Sequence, residues 1–525
     1  MAYNRGIRVL ENPTSLTAPQ LCTSGLQVIV GTAPVNLAEK PYSAAGVPKI
    51  AYSFSEASAA VGYSDDFKKY TLPQSIDATF RKFAVAPVIL INVLDPAKHK
   101  KDMPEEEYPV KNCQVVVKKE GLLLDKLSVK VKTAEAEETP ETEDEQENGT
   151  ETEQEGETDT EIGTTGAKTG TETELTVNVD YITEFDSNGY AVITLLESGR
   201  AAAAEALIVS GEQIDPSMVT AGDIIGGYDV ATGKESGLEL VRQVYPLYGM
   251  VPGLISAPGF SRDAAVAAVM AAKCHNINGV FSCECIVDLD CTADGAVKYS
   301  DVKTAKEKAG LVDSHLLAVW PKVRIGDSVY YYSAVFSALA ASVDAANDNV
   351  PSLHSSNKSL PITGLCMDDE TDTEIVMDQM QANAVAGTGV VTAVKAGGFR
   401  SWGNNTAAYP ATSDPKDRWF GCRRFFSWWG NSFIQTYFQK VDDPMDDRLI
   451  EAICDAENIR GNSYTAQGKC AGARITYSRD ENPVTDIMDG KVRFHQYLAP
   501  FTPAEDILNV LEFDPAMLEA ALGGE

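Results

Sequence analysis

Strand and helix signals alternate along two separated stretches of this chain. A chain patterned in this way buries its apolar runs most simply in a layered α/β core. "LQVIVGTAP" (26–34) is a short buried strand that ends at a Gly/Pro turn, and "LPQSIDATFRKF" (72–83) has helical spacing. "APVILINVLD" (86–95) is a continuous apolar strand of the kind covered on both faces. The rhythm resumes over 246–345. "GLISAPG" is a strand and turn, and "SRDAAVAAVMAAKCHNI" is a helix with Ser261 as its N-cap and Asp263 in its first turn. "GVFSCECIVDLD" is the next strand, and "SDVKTAKEKAG" is a helix closed by Gly310. At 525 residues the chain exceeds what one core holds. The expected fold class is therefore mixed α/β (α+β) and multidomain.

Between about residues 105 and 245 the texture changes to short alternating strands with Gly and Asn turns, which predicts a β-rich insertion. Inside it, a Thr/Glu/Gly-rich loop spans 133–174. From 134 to 174 there are sixteen acidic side chains and one lysine, so this stretch carries −15 of the chain's net −32. It holds too few large apolar residues to offset its ordering entropy and reads as a solvated loop. The block 385–525 is rich in aromatics. It predicts helices over Cys422–Phe438 and Pro444–Asn458, then two strands in "GARITYSRDENPVTDIMDGKVRFHQYLAP".

The two ends look like arms. "GIRVLENPTSLTAP" near the start places Ile7 and Val9 on one side of an extended segment. Near the end, "PAEDILNVLEFDPAMLEAAL" reads as a strand and then a turn of helix. Ile507, Asn509, Leu511 and Phe513 fall on one side of that strand, and Leu508, Val510 and Glu512 on the other. A strand apolar on both faces needs a partner, and an unpaired strand is a template for another chain.

The acidic balance argues against nucleic acid, which needs a basic surface. No window is apolar and long enough to span a bilayer, and the start lacks the apolar core of a signal peptide. The default is synthesis in the cytosol with the ten cysteines reduced.

No catalytic, cofactor or metal constellation emerges. Cys274, His275, Cys283, Cys285 and Cys291 lack ligand spacing and read as core. "GAKTG" (166–170) lacks phosphate-loop spacing, and "GTGVVTAVKAGG" is a turn. "DDPMDDRL" (442–449) lacks the calcium-loop glycine and reads as a helix start. Arg418, Arg423 and Arg424 sit among Trp419, Phe420, Phe425, Phe426, Trp428 and Trp429. Aromatics covering most of a helix read as buried rather than as a base-stacking platform. A long chain without a reactive site is expected to be built for assembly, not to be an enzyme.

Four segments resemble the tail sheath proteins of contractile phages and related contractile injection particles, including tailocins. They are "NRGIRVLENPTSLTAP" with "VIVGTAP", "PGLISAPGFSRDAAVAAVMAAK", "KDRWFGCRRFFSWWGNSFIQTYFQKVDDPMDDRLIEAICDAENI" and "GKVRFHQYLAPFTPAEDILNVLEF". Residues 105–245 match no pattern of that family. The resemblance implies a linking arm at 1–25, a sheath core from 26–104 and 246–384, and an outer insertion at 105–245. It further implies an inner domain at 385–502 and a second linking arm at 503–525.

It also implies a function. Rings of six subunits stack around an inner tube, and contraction drives the tube through a target envelope without any cofactor. The implied partners are further copies of the chain, the tube protein, and baseplate and tail terminator proteins. Neither nucleic acid nor membrane insertion is expected. Assembly in the producing bacterium's cytoplasm precedes residence in the particle's tail. The arm strands would be Ile7 and Val9 at one end, and Ile507, Asn509, Val510, Leu511 and Phe513 at the other. Both would add to a neighbour's hairpin carrying Ile475, Tyr477, Val492 and Phe494. Arg423, Arg424 and Lys440 are the basic residues implied to face the tube. Two other readings stay open: a non-contractile shell or tube protein, and a hydrolase or carbohydrate-binding protein that uses the β-rich insertion.

Overall fold

The computed structural model describes residues 23–133 and 171–523. Ile7, Val9, most of the acidic loop and "GAKTG" lie outside the described residues. The chain divides into two compact units. One contains Ala38–Asp95 and Val219 onward together with the start of the chain, and the other Pro34–Leu37 and Pro96–Met218.

The larger unit is built on an eight-stranded sheet. Its order is Lys49–Ala51, Val88–Asn92, Gln27–Gly31, Leu254–Ser256, Glu284–Asp288, Leu316–Val319, Val390–Lys395 and Phe399–Trp402. The six inner strands run parallel, and the two edge strands are antiparallel to their neighbours. A parallel sheet needs cover on both faces, which explains the unbroken apolar runs. Gln27–Gly31, Val88–Asn92, Glu284–Asp288 and Leu316–Val319 are buried at every position.

Helix Tyr332–Ala345 is buried nearly all round and carries Val335, Phe336 and Leu339 into the main apolar cluster. Helix Ala264–His275 starts at Asp263, whose carboxylate accepts from the N–H groups of Ala265 and Val266. Asp263 is therefore the N-cap, and the expectation for Ser261 is corrected. Ser261 Oγ instead donates to the Asp288 carboxyl at 3.2 Å.

Asp288 ends its strand fully enclosed. It also accepts from Ser333 N, Ser333 Oγ at 2.6 Å and the Gly259 N–H. Burial pushes this acid up from the ordinary carboxyl range. Its oxygens are thus committed to joining three segments of the fold, at the sheet end where α/β proteins often place ligands.

The smaller unit has a four-stranded sheet in the order Lys100–Pro109, Ala206–Ile214, Ser128–Thr133, Thr171–Glu174. Beside it is a three-stranded sheet in the order Gln114–Val117, Ala191–Leu195, Tyr181–Phe185. Alternate residues from both, including Val115, Val117, Val129, Ile193, Leu207 and Val209, form one core. Residues 219–245 were grouped with this block on texture, yet they pack in the larger unit. Gly237 there takes a φ of +59°, and the run Gly237–Gln243 coils into a 3₁₀ stretch that buries Leu238, Leu240 and Val241. The alternation that read as strand is the inward side of that coil.

In the smaller unit, Asp180 accepts from Arg200 Nη2 at 2.6 Å and from the N–H groups of Thr176 and Arg200. The Arg200 guanidinium, with those two N–H groups, holds the Asp180 carboxyl well below the usual carboxylate range. A lowered folded pKa means that the contribution is present above the unfolded value, about 4, and is lost as pH falls through the lowered one. Resistance of this unit to thermal unfolding is therefore expected to weaken on acidification below about pH 4. Asp180→Asn should remove that part of the acid sensitivity, as calorimetry at pH 3 and pH 7 would show.

Candidate assembly surface

The carboxyl-terminal part of the larger unit carries the surface of interest. Helix Phe420–Tyr437 places Phe425, Trp428 and Trp429 inward, with ring centroids 5.6–6.0 Å apart. Tyr464 from helix Asp447–Ala466 closes the cluster at 5.4 Å from Trp428. The aromatic run is core. Helix Asp447–Ala466 starts later and ends later than its sequence suggested. Asp446 caps it by accepting from the Leu449 N–H, and the helix continues through Gly461. The acidic run thus serves a helix start. Arg460 lies over the Trp429 ring at 4.0 Å and pairs with Glu457 at 3.2 Å, both buried. Burial raises the Glu457 acid.

On this helix rests a two-stranded hairpin, Gly472–Tyr477 with Phe494–Ala499, in antiparallel register from Gly472 opposite Ala499 to Tyr477 opposite Phe494. Its two outer edges differ. Asn458 Oδ1 accepts from the Ile475 N–H at 3.0 Å, and Asn458 Nδ2 donates to the Ile475 carbonyl at 3.3 Å. One amide side chain thus takes the place of a neighbouring strand. At Gly461 the missing side chain lets the helix approach closely: a Cβ there would stand 2.2 Å from the Ala473 oxygen. The Gly472–Tyr477 edge is therefore covered.

Because Ile475 turns its groups outward, its partner Gln496 does too, as do Phe494 and Leu498 by the two-residue alternation. No strand pairs with the Phe494–Ala499 edge among the described residues. Asn458→Ala is expected to uncover the second edge. The protein should lose about 1–3 kcal/mol of stability and form side-associated aggregates, measurable by urea titration and light scattering.

Beyond the hairpin the chain forms no helix or strand from Pro500 to Phe513 and then enters helix Pro515–Ala521. Ile507, Asn509, Val510, Leu511 and Phe513 are all exposed, Leu511 at 87%. They pair with no strand among the described residues. Six large apolar side chains of this segment and its helix, Ile507, Leu508, Leu511, Phe513, Met517 and Leu522, are more than 70% exposed. Isolated exposed apolar residues are ordinary, but such a run marks a contact surface.

Several expected residues stand elsewhere. Val492 lies in the turn two residues before the strand begins. Ile475 is buried, and its backbone groups are taken by Asn458, so it cannot accept a strand. Tyr477 and Phe494 face each other with ring centroids 6.0 Å apart.

Arg424 is corrected as a tube-facing residue. Its side chain is 2% exposed, and its guanidinium forms a bidentate pair with Asp344, which is wholly buried. Arg423 is mostly buried against Asp417 at 3.2 Å. Lys440 is half-buried and pairs with Asp443 at 3.3 Å. Cys274 and Cys283 are buried with their Sγ atoms 3.6 Å apart, and no group of side chains suited to a metal occurs among the described residues. No helix of the described residues is long and apolar enough to cross a membrane.

No family model matches the chain. It is 24% identical over 536 residues to the tail sheath protein of Burkholderia phage BcepMu, covering 99% of both chains. It is 23% identical over 294 residues to the tail sheath protein of Escherichia phage P2, covering 55% of this chain and 69% of that one. Two solved structures share its fold. They are the anti-feeding prophage helical sheath in its contracted state and a chain of the anti-feeding prophage baseplate. Their TM-scores are 0.51 and 0.52, each at 12% identity, with 98% of this chain and 100% of the other covered. Along its whole length the chain is thus similar to a tail sheath protein of a phage, and its fold is that of a contracted sheath.

Proposed function

We propose that the chain polymerises as stacked six-membered rings around an inner tube. Contraction of that polymer then drives the tube through a target cell envelope. The chain is a structural subunit of a contractile sheath. It resides in the tail of the particle, and assembly in the cytoplasm of the producing cell belongs to the proposal.

The observation that carries the reading is a pairing of opposites. The subunit has an open strand edge, Phe494–Ala499, and close to it in sequence an exposed, strand-patterned segment, Ile507–Phe513. In the proposed lattice the segment of one subunit adds to the open edge of the next, with main-chain hydrogen bonds as the link. Such a contact joins two different patches, so it propagates as a helix of subunits. Ile7 and Val9 are assigned the same role at the other end.

Further copies of the chain are the first partner. Baseplate, inner tube and terminator proteins are the others, with the half-buried Lys440 assigned to the tube. Chemical energy is not needed, because one chain with two stable packings stores the work in its assembly.

Electron microscopy of the purified full chain at high concentration tests this. Long hollow cylinders that vanish on deleting 503–525 are expected. A chain that stays monomeric even with seed tubes would sink the reading.

A further inference from the structure

Ser24 and Phe501, next to the two expected arms, are both held at one turn of a single helix. At the amino end, Ser24 is the second of the described residues. Its Oγ donates to Asp344 at 2.7 Å and to the Asn349 carbonyl at 2.9 Å, while Arg424 Nη2 donates to the Ser24 carbonyl at 3.0 Å. Arg424 in turn grips Asp344 with both guanidinium arms.

At the carboxyl end, the Phe501 carbonyl accepts from His354 Nε2 at 3.1 Å and lies 3.8 Å from Cys422 Sγ. The imidazole packs on Gly421 so closely that a Cβ there would stand 2.6 Å from His354 Nδ1. Gly421, Cys422 and Arg424 all belong to the start of helix Phe420–Tyr437.

We infer that the first turn of this helix is a junction that passes load from one linking arm to the other. Arg424 and His354 are its positioning residues. The inference rests on the arm-linking reading above.

The placement of the grips supports it. Ser24 lies just ahead of Gln27–Gly31, a strand paired on both sides in the large sheet. Tension arriving from the amino arm would otherwise peel that strand from its end, and the grip on Ser24 meets the tension first. Phe501 lies just after Phe494–Ala499, so the grip on its carbonyl stands between the carboxyl arm and the hairpin. Each clamp shields the sheet behind it, and both clamps close on the same helical turn. A buried bidentate ion pair and a directed hydrogen bond yield little before they break. The path between the arms is therefore short and stiff, and the α/β sheet stays out of it.

Gly421→Ala tests the junction, because alanine suits a helix while its Cβ displaces the imidazole. Hydrogen exchange on the full chain is the first readout. Amides of 499–505 should exchange faster by roughly tenfold, and those of Ser24–Leu26 should quicken with them. Faster exchange confined to 499–505 overturns the inference. His354→Ala provides the same comparison if Gly421→Ala does not fold.

Particles supply the second readout. Variant sheaths should assemble but break into short pieces when contracted, and contracted sheaths of unchanged length would overturn the junction. If the unmodified chain forms no sheath at all, the linking reading fails by itself. The exchange result still decides whether the two roots are coupled.

Discussion

Replacing Gln496 by proline is expected to abolish sheath polymerisation while leaving the monomer folded. The N–H of Gln496 points away from Gly472–Tyr477, so the ladder inside the hairpin does not use it. Proline removes that donor and places a ring on the edge where the next strand would lie. The incoming carbonyl is left without a partner, a cost of about 1–3 kcal/mol beyond the lost bond itself. The same loss repeats at every joint, so the critical concentration for polymerisation should rise by roughly ten- to a thousandfold. Sedimentation and electron microscopy would measure this, with unfolding midpoints checking that the monomer survives. Tyr497→Pro is the contrasting variant: its N–H faces the partner strand, so the hairpin itself should fail. If Gln496→Pro assembles normally, Phe494–Ala499 is not the accepting edge.

Arg424→Ala should produce the largest loss of stability in the larger unit. It leaves the carboxylate of Asp344 wholly enclosed without its counter-charge, a change that costs about 3–5 kcal/mol in comparable buried pairs. Ser24 Oγ alone remains as a donor from the amino end of the chain. Removing both charges together, as Arg424→Met with Asp344→Leu, should recover much of the loss, since apolar residues of similar volume are tolerated at such sites. Urea titration of the full chain and both variants would give the two differences. A single variant as stable as the parent would show that Asp344 finds water or a proton with ease.

The parts of the chain that declare themselves do so through one-dimensional pattern. "VILIN" has apolar side chains at four of its five positions and is an inner parallel strand, buried throughout. The aromatics from Phe420 to Trp429 exceed what a solvent-exposed face would carry, and all but the half-buried Phe426 are core. Pattern fails where three-dimensional neighbours decide. Nothing in "ENIRGNSY" announces that Asn458 will stand in for a strand beside Ile475, or that Gly461 makes room for a carbonyl. Arg424 and Asp344 are eighty positions apart, so a basic residue that reads as surface becomes the centre of a buried pair. The stretch 237–243 alternates like a strand, but a glycine at positive φ turns it into a coil. The exposed segment Ile507–Phe513 shows the reverse: its strand pattern is legible in the sequence, yet it pairs with no strand among the described residues.

The way the smaller unit is attached has a practical consequence. Its first and last strands, Lys100–Pro109 and Ala206–Ile214, are paired from Lys100 opposite Ile214, and the Asp215 N–H donates to the His99 carbonyl at 2.9 Å. Entry and exit therefore run side by side, like the two wires of a plug. A foreign domain whose own ends lie one strand spacing apart could be exchanged for everything between His99 and Asp215. The rest of the subunit would meet the same pair of strands as before. At one such socket per subunit, a polymer of the chain would carry a chosen cargo in a number equal to its subunits.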